Sequence, residues 1–164
     1  MADKDPGKDS TKRRLKLGAL EHNIGYLTRV ARSAVRQSSR EFVADLGFVT
    51  GQITLLGLIA ANDGVSQNDL ANALLIRKSQ VTGLIQDLVA RGLVSRVEIA
   101  ADRRFNALSL TKSGAQAWRR ARERITRHSD SVVKGLTEAE RTELSRLLRK
   151  VIAASIPDAD IDFA

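Results

Sequence analysis

Lys78, Ser79, Gln80, Thr82 and Gln86 fall within one short stretch of the chain. Together they carry the groups that read nucleic-acid bases. A Gln amide can make paired hydrogen bonds to adenine, and a Thr methyl can meet a thymine methyl. A Lys ammonium fixes a protein on phosphate without reading sequence. Downstream, Asp102-Arg103-Arg104 offers an arginine for a narrow, electronegative minor groove, with Asp102 able to pair with the other arginine. A third set, Arg29, Arg32, Arg36 and Arg40, is spaced by three, four and four residues and forms one basic helical stripe. Arginine's planar fork suits phosphate oxygens, so the stripe fits either a ligand with several phosphates or a solvated face that adds positive potential toward DNA.

Catalytic chemistry finds less support. His22 and His128 are the only histidines and stand far apart in the sequence. No G-x-S-x-G, P-loop or H-E-x-x-H pattern occurs, and no grouping of His and carboxylates suggests a metal. The chain reads as neither an enzyme nor a metal or cofactor protein.

The elements needed to present these residues can be read from spacing. Ser66 and Asp69 resemble a capping box that opens a short helix, Gln67–Leu74. A second helix runs from about Lys78 to Arg91, with Val81, Leu84, Ile85 and Leu88 on one face. Its start is weakly capped, because Arg77 stands where Asp or Ser would serve better. Two strand-like runs follow, 96–99 and 105–110, joined by the turn that holds Asp102-Arg103-Arg104. Helix, turn, helix and basic hairpin in that order make residues 66–111 a winged helix-turn-helix, with one helix for a DNA groove and a wing beside it.

Long helices flank this module. From about Leu17 to Leu46 the apolar residues keep helical spacing up to Gly47, which can take the positive φ of a helix stop. Thr50 is expected to cap a strongly apolar helix that ends near Asn62-Asp63-Gly64, and Thr111 a long helix reaching roughly Lys134. Thr137 and Glu140 form a capping box for a last helix carrying Leu144, Leu147, Leu148, Val151 and Ile152. The end regions, 17–46 and 112–154, show no obvious core shared with the module. Their apolar stripes point to a second copy of the chain. The fold class expected is mainly α, with a small β-hairpin wing and long terminal dimerisation helices, over residues 17–164. Residues 1–16 hold six Lys/Arg against three Asp and read as a disordered basic arm.

Composition agrees. The 164 residues are 43% hydrophobic but only 4% aromatic, so aliphatic side chains must do the packing. A net charge of +8 favours an anionic partner. With no Cys there can be no disulfide, thiolate metal site or thiol switch. No apolar run reaches the roughly 18 residues that span a bilayer, and no secretory signal is evident, so a cytoplasmic protein without membrane association is expected.

Taken in order, Gln67-x-x-Leu70-Ala71, Ser79-x-Val81-Thr82-x-Leu84-Ile85-x-x-Leu88, Arg91-Gly92-Leu93-Val94-x-Arg96, Asp102-Arg103-Arg104 and Leu110-Thr111-x-x-Gly114 resemble the MarR (multiple antibiotic resistance regulator) family. The resemblance covers about residues 17–154. It implies a homodimeric, ligand-responsive transcriptional repressor on a palindromic double-stranded DNA operator. It also implies that Arg103 lies nearer the DNA than Arg104, with Asp102 structural. Gly83 departs from the arginine common in the family and removes a phosphate or base contact. The family's inducer pockets are lined by the first, second and fifth helices, which here would bring Tyr26 and Trp118 to the apolar part of a ligand and the four arginines to its anionic part. Some relatives in aromatic catabolism sense an acyl-CoA thioester, so a small anionic effector, either such a thioester or an aromatic carboxylate, is the expected inducer. The family's cysteine-based peroxide sensing is closed to this chain. A non-specific architectural DNA- or RNA-binding winged helix is the alternative, since basic arms and wings bind phosphates without reading bases.

Overall fold

The computed structural model describes residues 14–98 and 106–156. The chain divides into two compact units, Met1–Gln37 and Ser38–Ala164. In the first, a single 3-10 turn, Gly18–His22, precedes helix α1, Ile24–Asp45, which continues into the second unit. The uninterrupted helix expected from Leu17 to Leu46 is therefore broken. Asn23 takes an extended conformation, and its Oδ1 accepts the Tyr26 N–H at 2.8 Å, so a new helix is capped there. Apolar spacing continued across the break and concealed it. Gly47 ends α1 with φ of +73°, as expected.

Helix α2, Gln52–Ala61, lies at the centre of the second unit, with Leu55, Leu56 and Ile59 fully enclosed. Thr50 does not cap it. The N-cap is Gly51 in the left-handed region, and the Gln52 Oε1 accepts the Val49 N–H at 2.9 Å. Helix α3, Gln67–Leu74, opens on the expected box: Ser66 Oγ accepts the Asp69 N–H, and Asp69 Oδ2 accepts the Ser66 N–H. Helix α4 spans Lys78–Ala90. Strands β1, Val94–Glu98, and β2, Asn106–Leu110, pair antiparallel with Val94 opposite Leu110 and Glu98 opposite Asn106. Val65 adds an antiparallel bridge to Leu108, which sequence spacing did not signal. The bridge ties the entry to α3 onto the hairpin.

Helix α5, Lys112–Val132, starts where Thr111 Oγ1 accepts the Gly114 N–H at 3.0 Å. The expectation of separate cores fails here. Ala121 is fully buried in the same cluster as Leu56, Leu70, Ile85 and Leu108, with Ala117, Trp118 and Ile125 packed against it. The small Ala117 and Ala121 beside Trp118 and Ile125 let α5 lie close to α2, where the Trp118 ring meets Gly57. Helix α6, Glu138–Ser155, carries the Thr137–Glu140 box. Hydrogen bonds from the Thr137 backbone N–H, and then its hydroxyl, hold the Glu140 carboxyl below its ordinary range. Among the described residues α6 buries none of its own side chains, and Leu144, Leu147, Leu148 and Val151 are each at least 40% exposed.

Two glycines should behave oppositely. A Cβ at Gly114 would run into the Leu93 carbonyl, whereas one at Gly83, inside α4, meets nothing. Gly83→Ala should therefore stabilise the fold by up to about 1 kcal/mol. Gly114→Ala should destabilise it by about 1–3 kcal/mol through overpacking. Urea midpoints measured side by side check both signs.

Candidate nucleic-acid interface

The site begins with the division of α4 into two faces. Val81, Ile85 and Leu88 are fully buried, and Leu84 is half-buried beside them. The opposite face is then obliged to point outward, with Ser79, Gly83 and Gln86 along its centre at spacings of four and three. Lys78, Ser79, Gln80 and Gln86 are exposed and Thr82 is half-buried. All five anticipated residues of this helix are thus on one rigid element. Arg77 and Lys78 bring two positive charges to its N-terminus, where the first turn holds no acidic residue.

Two of the side chains are partly committed to the protein. Gln80 Oε1 accepts the Arg77 N–H at 3.2 Å and supplies part of the cap that Arg77 cannot, leaving its amide N–H groups to donate outward. The Thr82 hydroxyl lies 2.9 Å from the Lys78 carbonyl and 3.0 Å from Gln67 Oε1. That engagement leaves the methyl as the part of Thr82 suited to a thymine. Gln67, read in the sequence as a helix start and as part of the family motif, thereby helps hold Thr82. The signal that could have found it is the helix-turn-helix geometry, which sets α3 across α4.

The wing is anchored where it leaves this module. Thr111 Oγ1 donates to the Gly92 carbonyl at 2.7 Å, and the Thr111 N–H to the Leu93 carbonyl at 3.1 Å. Arg96 is exposed on β1. Asp102, Arg103 and Arg104, the residues anticipated at the wing tip, lie outside the described residues.

The anticipated ligand residues are divided between the units. In the first unit, Arg29, Arg32 and Arg36 are exposed on α1, and the Arg29 guanidinium lies 5.8 Å from the centre of the half-buried Tyr26 ring. In the second, Arg40 is exposed. The Trp118 ring presses on Gly57 of α2, where a Cβ would come within 2.8 Å of it. An open groove of about 630 Å³ in this unit is lined by Gly47, Val49, Gln52, Gly83, Leu84, Asp87 and Arg91. None of the six anticipated ligand residues lines that groove. Among the described residues no group of His and carboxylates could hold a metal ion, and no helix is long and apolar enough to cross a membrane.

A short helix set across a longer one with an outward polar face, followed by a hairpin on the same core, defines a winged helix-turn-helix protein. The MarR family model matches residues 45–104. Over 135 residues the chain is 31% identical to a Thauera aromatica protein assigned to transcriptional regulation of the hcr operon, covering 82% of this chain and 81% of that one. It is 27% identical over 123 residues to the homoprotocatechuate degradative operon repressor of Escherichia coli, covering 75% and 83%. Among solved structures, the transcriptional repressor CouR bound to a 23-mer DNA duplex superimposes with a TM-score of 0.77 at 30% identity, covering 85% of this chain and 99% of that one. The chain belongs to the MarR family of DNA-binding transcriptional regulators.

The two kinds of contact on α4 should separate experimentally. Gln86→Ala, at an exposed position of the outward face, should change which base is preferred, at about 1–3 kcal/mol for a well-made paired contact. Lys78→Ala should weaken binding to all duplexes alike and reduce the slope of log affinity against log salt by about one. Binding isotherms across a panel of single-base operator variants at several salt concentrations distinguish the two.

Proposed function

We propose that the protein is a homodimeric transcriptional repressor that binds a palindromic operator and is released from it by a small anionic inducer. The observation that carries this reading is α4: one face locked into the core, the other a row of short polar side chains on a basic helix end. Dimerisation is supported by apolar side chains that the described chain leaves uncovered. They are Leu17, Leu20, Ile24, Leu27 and Val30 in the first unit, and Leu144, Leu147, Leu148 and Val151 on α6. Repression is supported by the similarity to two proteins named as repressors. The cytoplasm is the matching location for such a regulator.

The inducer belongs to the chemistry of aromatic acids, as an acyl-CoA thioester or the free carboxylate. Support comes from the exposed arginines of α1 and from the likeness to the homoprotocatechuate operon repressor. Such a ligand lowers DNA affinity only by binding the DNA-incompetent state more tightly than the competent one. The acyl end would wedge between helices, and the phosphates would occupy arginines that otherwise attract DNA.

Binding to genomic operator fragments and to scrambled duplexes at physiological salt tests the DNA reading. A preference of about 10³ or more is expected, with sedimentation at twice the chain mass. Arg103→Ala should lose much of that affinity while dimer and fold persist. A preference below roughly tenfold would instead favour an architectural binder that contacts phosphates alone.

Calorimetry with an aromatic acid, coenzyme A and their thioester tests the inducer. Arg36→Ala or Arg40→Ala should weaken the thioester more than the acid. Equal affinity of the wild type for acid and thioester would leave the arginine stripe as a solvated face.

A further inference from the structure

Gln52 is a polar side chain with only 1% of its surface exposed, in a helix whose other buried residues are aliphatic. Both ends of its amide are used. Oε1 accepts the Val49 N–H at 2.9 Å, and Nε2 donates to Asp87 Oδ2 of α4 at 2.6 Å. The same Asp87 oxygen faces Arg91 Nη1 at 3.5 Å, and the Arg91 guanidinium covers the Phe48 ring at 4.7 Å. A Cβ on Gly51 would lie 3.2 Å from Leu84 Cδ1. One short segment, residues 48–52, thus meets α4 at positions 84 and 87 and its C-cap residue at 91, spaced by three and four residues.

The apolar packing of α4 holds it down but does not fix its rotation sharply. Burial of Val81, Ile85 and Leu88 is non-directional, so a helix can roll by a few degrees without exposing them. A hydrogen bond weakens steeply with angle and distance, and one with an ionised acceptor is the stronger kind. Asp87 adjoins the outward face that carries Ser79, Gly83 and Gln86. A roll that broke its bond to Gln52 would therefore shift those side chains relative to base edges.

We propose that Gln52 is a positioning residue: through Asp87 it sets the rotation of α4, and so governs selectivity among DNA sequences rather than affinity for DNA in general. The proposal rests on the reading of α4 as the DNA-reading helix. The Gln52–Asp87 bond joins the first turn of α2 to α4.

The test uses three variants of the full chain, Gln52→Glu, Asp87→Asn and the two combined. Gln52→Glu sets two carboxylates against each other. Asp87→Asn keeps an acceptor for Gln52. The double variant restores the link with its donor reversed. The amide introduced at position 87 donates to the carboxylate introduced at position 52, which still accepts the Val49 N–H. Gln52→Glu should reduce the preference for operator over scrambled duplex by at least about tenfold, with binding to the scrambled duplex little changed. The combined variant should return the preference to within about threefold of wild type, as a double-mutant cycle requires of a direct pair. Without DNA, amide exchange of residues 78–90 should quicken in Gln52→Glu and recover in the double variant, while α5 is unaffected.

A Gln52→Glu protein with unaltered preference and unaltered α4 exchange would overturn the proposal, and so would failure of the combined variant to recover. If Gln52→Glu does not fold, Asp87→Ala removes the acceptor from an exposed position, and the same losses are expected of it. A wild type with no preference among duplexes would sink the DNA reading and the selectivity that rests on it, while the exchange measurement would still judge whether Gln52 holds α4 in place.

Discussion

Val81, Ile85 and Leu88 share one fully buried cluster with Leu55, Leu56 and Ile59 of α2, Leu70 of α3 and Leu108 of β2, and this burial decides which way α4 faces. Each aliphatic side chain contributes about 1.5–3 kcal/mol when enclosed. The three from α4 together are then comparable with the roughly 5–15 kcal/mol net stability of a typical domain. Turning α4 over would forfeit that stabilisation, so the polar row has one place to go. The remaining features of the module refine this constraint. The Gly114 backbone packs against Leu93, Thr111 closes the hairpin onto Gly92, and the Val65 bridge secures the start of α3.

The terminal elements obey a different logic. In α6 the apolar residues recur at helical spacing, yet none is buried by the described chain. A helix stabilised chiefly by tertiary packing cannot keep such a face in water without cost. A second copy would supply the missing cover and would place two recognition helices under one symmetry axis. Basic side chains are meanwhile spread over exposed positions of α5, including Arg119, Arg120, Arg122, Arg124 and Arg127. They raise the positive potential around the whole protein, which favours fast encounter with DNA but carries no sequence information.

Much of the architecture was legible because periodicity and capping agree along most of the chain. Helix α3 and its Ser66–Asp69 box, the apolar face of α4, and the Thr111 and Thr137 caps all follow from local chemistry. The misreadings arise where a contact is not local. Asn23 breaks a helix across which hydrophobic spacing continues. Gly51 and not Thr50 is the N-cap of α2, and the Gln52 amide beside it has partners at Val49 and, 35 residues away, at Asp87. The region 112–154 showed no obvious core shared with the module, yet Ala121 and Trp118 of α5 pack on that core. For the candidate site, helical phase anticipated that Ser79 and Gln86 are exposed opposite the apolar face of α4. The engagement of Gln80 with Arg77, and of Thr82 with Gln67, depends on distances that a linear pattern does not encode.

The central claim is that the polar face of α4 lies in a DNA major groove. Dimethyl sulfate protection of guanine N7 on a bound genomic fragment reads that groove directly. Two protected patches on one face of the duplex, about 10–10.5 base pairs apart centre to centre, are predicted for a dimer presenting two copies of α4. Stable complexes in which no guanine N7 is protected in any selected fragment would contradict the account, because the protein would then hold DNA without placing α4 against the bases.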